Sequence, residues 1–143
     1  DIDPKNLSID LKKLKKLISK KTKCIIPVHL YGHCCNLDEL KKISGKNIVI
    51  LEDAAQAIGA KFKNNFLGTI GDFGGYSFNG NKIITTGEGG VILTNKKSFK
   101  KKLYMQKNHG RYQKGLFKHE NIGFNFMFTE MQAAIGLAQL DKL

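Results

Sequence analysis

Arginine is almost missing: Arg111 is the sole one in 143 residues, although Lys and Arg together number 24 against 12 Asp and Glu, a formal charge of +12. So basic a balance raises the question of nucleic acid. The planar, bidentate reading of phosphates and guanine edges rests on arginine, however. The lysines gather in runs, Lys12 to Lys23 and Lys96 to Lys102, that read as solvated helix faces. Nucleic acid is therefore not the expected partner. Cysteine is scarce as well: Cys24, Cys34 and Cys35 are an odd number with two adjacent, a poor disulfide framework that suits a reducing cytosol. No run of about 18 apolar residues occurs, and the start shows no signal-peptide pattern, so no membrane partner is expected.

What is present is one domain's worth of chain, 41% hydrophobic, enough for a sizeable core. Ser8 or Asp10 can cap a helix with Leu11, Leu14, Leu17 and Ile18 at helical spacing; Asn36 caps a second, Leu37 to Ile43, closed by Gly45. Between them, Cys24 to Val28 reads as a buried strand end. The run Asn47 to Leu51 reads as a strand in a sheet covered on both faces. It ends on Glu52-Asp53-Ala54-Ala55-Gln56, with a short helix expected to follow. Phe62 to Phe66 suggests a hairpin turned at Asn64-Asn65. Two further strands flank a polar turn around Lys82, Lys97 to Lys107 reads as a basic helix, Arg111 to Phe126 as a loop, and Thr129 as the cap of a last helix with Met131, Ala134, Ile135 and Ala138 on one face. Alternating helices and short buried strands predict an α/β architecture.

Several chemical signals dissolve on inspection. Asp72-Phe73-Gly74 lacks the catalytic loop and nucleotide loop of a kinase. His29, His33, Cys34 and Cys35 offer zinc-type ligands, but adjacent cysteines do not readily share one tetrahedral ion and no second ligand pair follows, so no metal is expected. Ser77 has no nucleophile-elbow context, although its hydroxyl could bond a phosphate.

What remains is a set. Asp53 stands at a strand end, where ligands bind in open parallel sheets. Gln56 lies one helical turn on, and Ser77 precedes Lys82 by five residues. Lys82 sits apart from the lysine runs, between small polar residues and Ile83-Ile84, where a dry pocket would make its amine a nucleophile toward carbonyls. Pyridoxal phosphate needs this combination: a lysine for its aldehyde, a carboxylate for its ring nitrogen, and hydroxyl donors for its phosphate.

The wording around these residues is recognisable. Glu52-Asp53-Ala54-Ala55-Gln56-Ala57, Tyr76-Ser77-Phe78, Asn81-Lys82, Thr86-Gly87-Glu88-Gly89-Gly90, Gly123-Phe124-Asn125-Phe126 and Ala133 to Leu140, with Pro27 to Gly32 upstream, resemble the DegT/StrS family of pyridoxal-phosphate-dependent nucleotide-sugar aminotransferases. The resemblance runs in order from Asp1 to Leu143. It implies the fold type I large domain, a mainly parallel sheet between helices, and a cytoplasmic homodimer with active sites at the subunit interface. Lys82 would be the Schiff-base lysine and proton shuttle, and Asp53 would pair with the pyridine nitrogen. Gln56 would contact the ring hydroxyl, Ser77 the phosphate, and Asn125 the phosphate of the cofactor in the other subunit.

Related dehydratases carry histidine where this chain has Lys82, so lysine implies transamination, with glutamate as donor. The acceptor expected from Phe78 to Lys82 is a UDP-linked 4-keto-6-deoxy sugar, in surface-glycan or polysaccharide biosynthesis. Met127 departs from the arginine of many members. Residues 1–143 are expected to be the central part of the large domain, without the preceding phosphate-binding turn or the C-terminal small domain, and to be inactive when isolated. The alternative is a truncated, non-catalytic product or a basic binding module.

Overall fold

The computed structural model describes residues 1–112, 115 and 117–143. β1 (Ile2–Asp3) and β2 (Ser8–Ile9) pair antiparallel. Asp10 then opens α1 (Leu11–Leu17), its carboxylate accepting from the N–H groups of Lys12 and Lys13 at 2.9 and 3.1 Å. Two of the four donors a helix leaves unpaired at its start are thereby satisfied. Ser8, the other expected cap, is buried in β2.

β3 (Cys24–Ile25) leads through a 3₁₀ turn at Leu30–Gly32 to α2 (Leu37–Ser44). Asn36 caps α2 by accepting from Glu39 N–H at 3.1 Å, and Gly45 closes it at φ +59°. β4 (Val49–Asp53) follows, then a small hairpin of β5 (Lys61–Phe62) and β6 (Asn65–Phe66). That hairpin turns at Lys63 and Asn64, one residue earlier than expected, with Lys63 in the left-handed region at φ +54°. β7 (Phe73–Ser77), β8 (Gly90–Thr94), a 3₁₀ turn at Lys97–Phe99, α3 (Lys100–Lys107) and α4 (Glu130–Leu140) complete the chain. Residues 113, 114 and 116 of the expected 111–126 loop lie outside the described residues.

The main sheet has the order β3-β4-β7-β8. β3 with β4 and β4 with β7 are parallel, whereas β8 runs antiparallel to β7. Parallel neighbours need a crossover; the loop between β7 and β8 carries no helix and turns the chain straight back. A mainly parallel sheet is therefore present, with an antiparallel edge.

The core lies on one side of this sheet, where Ile25 and Ile50 meet Leu37, Leu40, Ala54, Ala57 and Leu67, with Leu11 and Leu14 of α1 packed against them. The opposite face is largely open. Ile26 is 54% exposed, Leu51 38% and Ile92 62%; of the cover that the run Asn47 to Leu51 predicts, the described residues supply Phe99, packed edge-on against Phe73 with ring centroids 5.2 Å apart. An apolar run does not reveal whether its second cover lies in the same stretch of chain.

One expectation fails. No helix follows Asp53; two successive turns do, Ala57 N–H to Ala54 C=O at 2.9 Å and Ala60 N–H to Ala57 C=O at 3.0 Å. Ala54 N–H is still bonded to Gly75 C=O at 3.0 Å, so the backbone leaves the sheet too late to wind a helix. Among the described residues no helix is long and apolar enough to cross a membrane.

Candidate active site

Side chains alternate across a strand, so pairing register assigns each one a face. Asp53 pairs with Gly75, Leu51 with Phe73, and Ser77 lies two residues beyond Gly75. Asp53 and Ser77 therefore share the open face, at the carboxyl ends of adjacent parallel strands. Between them Gly75 presents no side chain, and a Cβ built there would meet nothing nearer than the Val91 carbonyl at 3.9 Å. This is a flat floor with a carboxylate at one side and a hydroxyl at the other. One Asp53 oxygen accepts from Ala55 N–H at 3.1 Å; the other has no hydrogen-bond partner among the described residues. Ser77 Oγ accepts from Asn79 N–H at 3.3 Å, and Gln56 Oε1 from Tyr31 N–H at 3.3 Å.

Lys82 lies in the loop that leaves this end of β7, half-buried, with no ion pair among the described residues. The loop is braced rather than loose. Phe78 N–H bonds Gly89 C=O and Thr86 N–H bonds Phe78 C=O, both at 2.9 Å. Thr85 Oγ1 donates to Phe78 C=O at 3.1 Å and accepts from Gly87 N–H at 2.9 Å. From outside, α4 adds Gln139 Oε1 on Thr85 N–H and Gln132 Nε2 on Glu88 C=O, each at 3.3 Å. Loop and helix enclose an apolar cavity of about 250 Å³ lined by Phe78, Ile84, Phe128, Ala133, Gly136 and Leu140. The half-buried residues of α4 are 132, 133, 136 and 139, and Met131 and Ile135 are turned outward, 77% and 49% exposed. Asn125 stands apart: it is exposed and bridges Asn108 at the end of α3.

Sequence reasoning passed over the most heavily bonded side chain among the described residues. Glu52 is fully buried behind Asp53; its Oε2 accepts from His29 Nε2 and Gly68 N–H, both at 2.9 Å, and its Oε1 from Ile70 N–H at 2.6 Å and Gly71 N–H at 2.5 Å. Burial alone would raise this carboxyl, but His29 and the three amides outweigh burial and hold it below the ordinary glutamate value. His29, one of the candidate metal ligands, is occupied here. Burial pushes the Cys35 thiol up to about 11, with Cys34 adding to the effect, which leaves that thiol unreactive. Asp72 is structural as well: it accepts from Ile50 N–H at 2.8 Å and pairs with Lys96 at 2.8 Å.

A carboxylate, a hydroxyl and a braced lysine at one end of a mostly parallel sheet define an α/β domain of the fold type I, pyridoxal-phosphate-dependent transferase class. The chain belongs to the DegT/DnrJ/EryC1/StrS aminotransferase family, whose profile matches residues 1–143. It is 42% identical over 144 residues to the GDP-perosamine synthase of Caulobacter vibrioides, covering 100% of this chain and 39% of that protein. Among solved structures, an aminotransferase from Psychrobacter cryohalolentis superposes with a TM-score of 0.91 at 36% identity, over 99% of this chain and 39% of its own. The E. coli GDP-4-keto-6-deoxy-D-mannose-3-dehydratase with bound hydrated PLP gives 0.91 at 34% identity, over 99% and 41%.

Dehydratases of that kind are also known with GDP-perosamine bound and with a trapped PLP–glutamate adduct. In a further structure, of ColD, histidine is replaced by lysine and the preceding serine by asparagine, which creates the order found here at Asn81-Lys82. The chain spans about two fifths of the length of the curated relatives it matches. The nucleotide in these names is GDP, not the UDP that the sequence predicts.

Proposed function

We propose that this segment is the central part of the cofactor-binding large domain of a pyridoxal-phosphate-dependent aminotransferase. The complete protein moves an amino group from an amino acid, glutamate, to a GDP-linked 4-keto-6-deoxy sugar. GDP replaces the expected UDP because the relatives that name a nucleotide name GDP. The structure with a PLP–glutamate adduct supports the donor. Cytoplasmic location, a homodimer with shared sites and a place in surface-polysaccharide synthesis belong to the same reading.

The observation that carries it is the open face itself: Asp53 and Ser77 on either side of the bare Gly75 floor, with Lys82 in a braced loop at the same strand end. This donor set fits the cofactor. When bound, pyridoxal phosphate supplies an electron sink that makes a proton removable from the carbon bearing the amino group. Asp53 would hold the ring nitrogen with its carboxylate and favour the protonated form of that nitrogen. Gln56 bonds the ring hydroxyl, and Ser77 Oγ donates to the phosphate. Asn125, exposed beside the end of α3, would reach the phosphate held by the second subunit. Lys82 would hold the cofactor through its aldehyde, with loss of water, and its amine, when free, would be the group placed to move a proton between the carbon of the donor and that of the sugar. Lysine at this position, rather than histidine, favours transamination over dehydration.

The test is mass spectrometry of the complete protein after pyridoxal phosphate addition and borohydride reduction. A stable adduct of cofactor mass on the peptide bearing Lys82 is expected. A folded protein without that adduct would sink the reading and favour the non-catalytic product or basic binding module.

A further inference from the structure

The buried pair of His29 and Glu52 stands directly behind the open face, and its bonds lead to that face by two routes. The first runs through the backbone. Asp53 N–H bonds Pro27 C=O and His29 N–H bonds Asp53 C=O, each at 2.9 Å, so the segment 27–29 is laid along the end of β4 as an extra parallel rung. The ring of His29 then turns inward and donates from Nε2 to Glu52 at 2.9 Å. Two adjacent residues on each segment are thus joined, one pair through backbone and the other through side chains.

The second route runs through the turn. Glu52 accepts from Gly68, Ile70 and Gly71, and the chain passes from there through Asp72 into β7, which carries Gly75 and Ser77. One carboxylate therefore ties β4, which presents Asp53, to the 27–29 segment and to the turn that leads into β7, which presents Gly75 and Ser77.

Core stability alone explains only part of this. The three turn amides need an acceptor, because a buried N–H without one costs about 1–3 kcal/mol. They do not need His29. An apolar residue could fill its fully buried site at least as favourably as an ionisable ring whose Nδ1 has no partner among the described residues. What His29 adds is a directional link between the carboxylate and the segment bonded to Asp53.

Building on the function proposed above, we propose that His29 and Glu52 are positioning residues for Asp53: through the 27–29 segment and the 68–71 turn they fix where the Asp53 carboxylate meets the cofactor ring. Displacement by about 1 Å at such a contact can reduce turnover about a hundredfold.

The experiment uses the complete holoenzyme and compares His29→Phe, His29→Gln and Asp53→Asn. The first readout is the pH midpoint of the bound cofactor's visible absorbance change, which reports the charge held against the ring without turnover; the second is kcat and KM. His29→Phe keeps a ring and leaves the three turn bonds on Glu52. It is expected to shift the midpoint in the same direction as Asp53→Asn and to lower kcat about a hundredfold with KM for the sugar nucleotide unchanged. His29→Gln restores a donor to Glu52 and recovers much of both. A folded, cofactor-loaded His29→Phe with the wild-type midpoint, beside a shifted Asp53→Asn, overturns the positioning role and leaves the proposed function standing. An Asp53→Asn with the wild-type midpoint overturns the assignment of Asp53 and this role with it. If His29→Phe does not fold, Glu52→Asp, which withdraws the carboxylate by one methylene, is judged by the same two outcomes.

Discussion

Glu52 and Asp53 are consecutive carboxylates on β4, and the pleat sends them to opposite faces. Glu52 is sealed in the core, with both oxygens saturated by a histidine and three amides. Asp53 faces the open side with one oxygen engaged and the other free among the described residues. Identical chemistry one residue apart has become structure on one side and an open acceptor on the other. A carboxylate whose acceptor sites are filled by its own fold has nothing left for a ligand. The same contrast separates Asp72, held by Ile50 and Lys96, from Lys82, whose amine has no ion-pair partner among the described residues.

The contrast is tested most severely by deleting the open side's amine. Lys82→Ala in the complete enzyme is expected to lower turnover by at least the 10²–10⁴-fold typical of a lost general base. Its urea midpoint should stay close to wild type, with stability changed by no more than about 0.5 kcal/mol, as for a residue outside the core. A large stability loss would place Lys82 on the structural side of the comparison.

Glu52→Leu is the mirror experiment. It leaves three turn amides and the His29 ring without their acceptor, and about 3–5 kcal/mol of stability should be lost in urea unfolding. The same carboxylate gives a signed pH dependence. Because the fold holds Glu52 below its ordinary value, the unfolded chain takes up that proton first as pH falls. Its contribution is complete above the ordinary glutamate range and is lost as pH drops through the lowered value. Urea midpoints measured from pH 7 down to about 3 should therefore fall more steeply for wild type than for Glu52→Gln, which has no carboxyl to titrate there. Parallel curves would contradict this.

The open side was far more legible in the sequence than the closed one. Asp53, Ser77 and Lys82 stand out as a residue set that suits pyridoxal phosphate, and the strands expected on either side of Lys82 are β7 and β8. The Glu52–His29 bond spans 23 residues, and no local pattern encodes a contact made only when β4 has been laid beside the 27–29 segment. The missing helix after Asp53 has a similar origin. Ala54 to Ala57 has good helical propensity, but the bond from Ala54 N–H to Gly75 C=O is tertiary and overrides it. Even α4, capped at Thr129 as expected, turns Met131 and Ile135 of its apolar face outward. Its partner is the lysine loop rather than the sheet, and a stripe containing Gly136 fits against Thr86.

Smaller changes sharpen the comparison between the two sides. Gly74 lies on the closed side, paired with Glu52 across the sheet, and a Cβ there would run into the carbonyl of Gly68, backbone that the Glu52 bond holds in place. Gly74→Ala should cost about 1–3 kcal/mol, the usual range for overpacking. Gly75→Ala, one residue on and facing the open floor, should cost clearly less while weakening cofactor affinity in equilibrium dialysis. Equal losses of stability in the two variants would mean that the floor is not open.

Thr129→Ala has the smallest expected effect and probes how the open side is held. Thr129 caps α4 in a reciprocal arrangement with Gln132, accepting from its N–H at 3.2 Å while Gln132 Oε1 accepts from Thr129 N–H at 3.0 Å. Loss of such a cap typically costs about 1 kcal/mol. Here the loss should be local, because α4 reaches the rest of the chain through the lysine loop, by Gln132 on Glu88 and Gln139 on Thr85. Hydrogen exchange should therefore show the amide of Thr85 losing protection in Thr129→Ala while the amides of Ile70 and Gly71, bound to Glu52, keep theirs. If both sets weaken together, the two sides unfold as one unit, and the lysine loop owes its shape to the core rather than to the helix beside it.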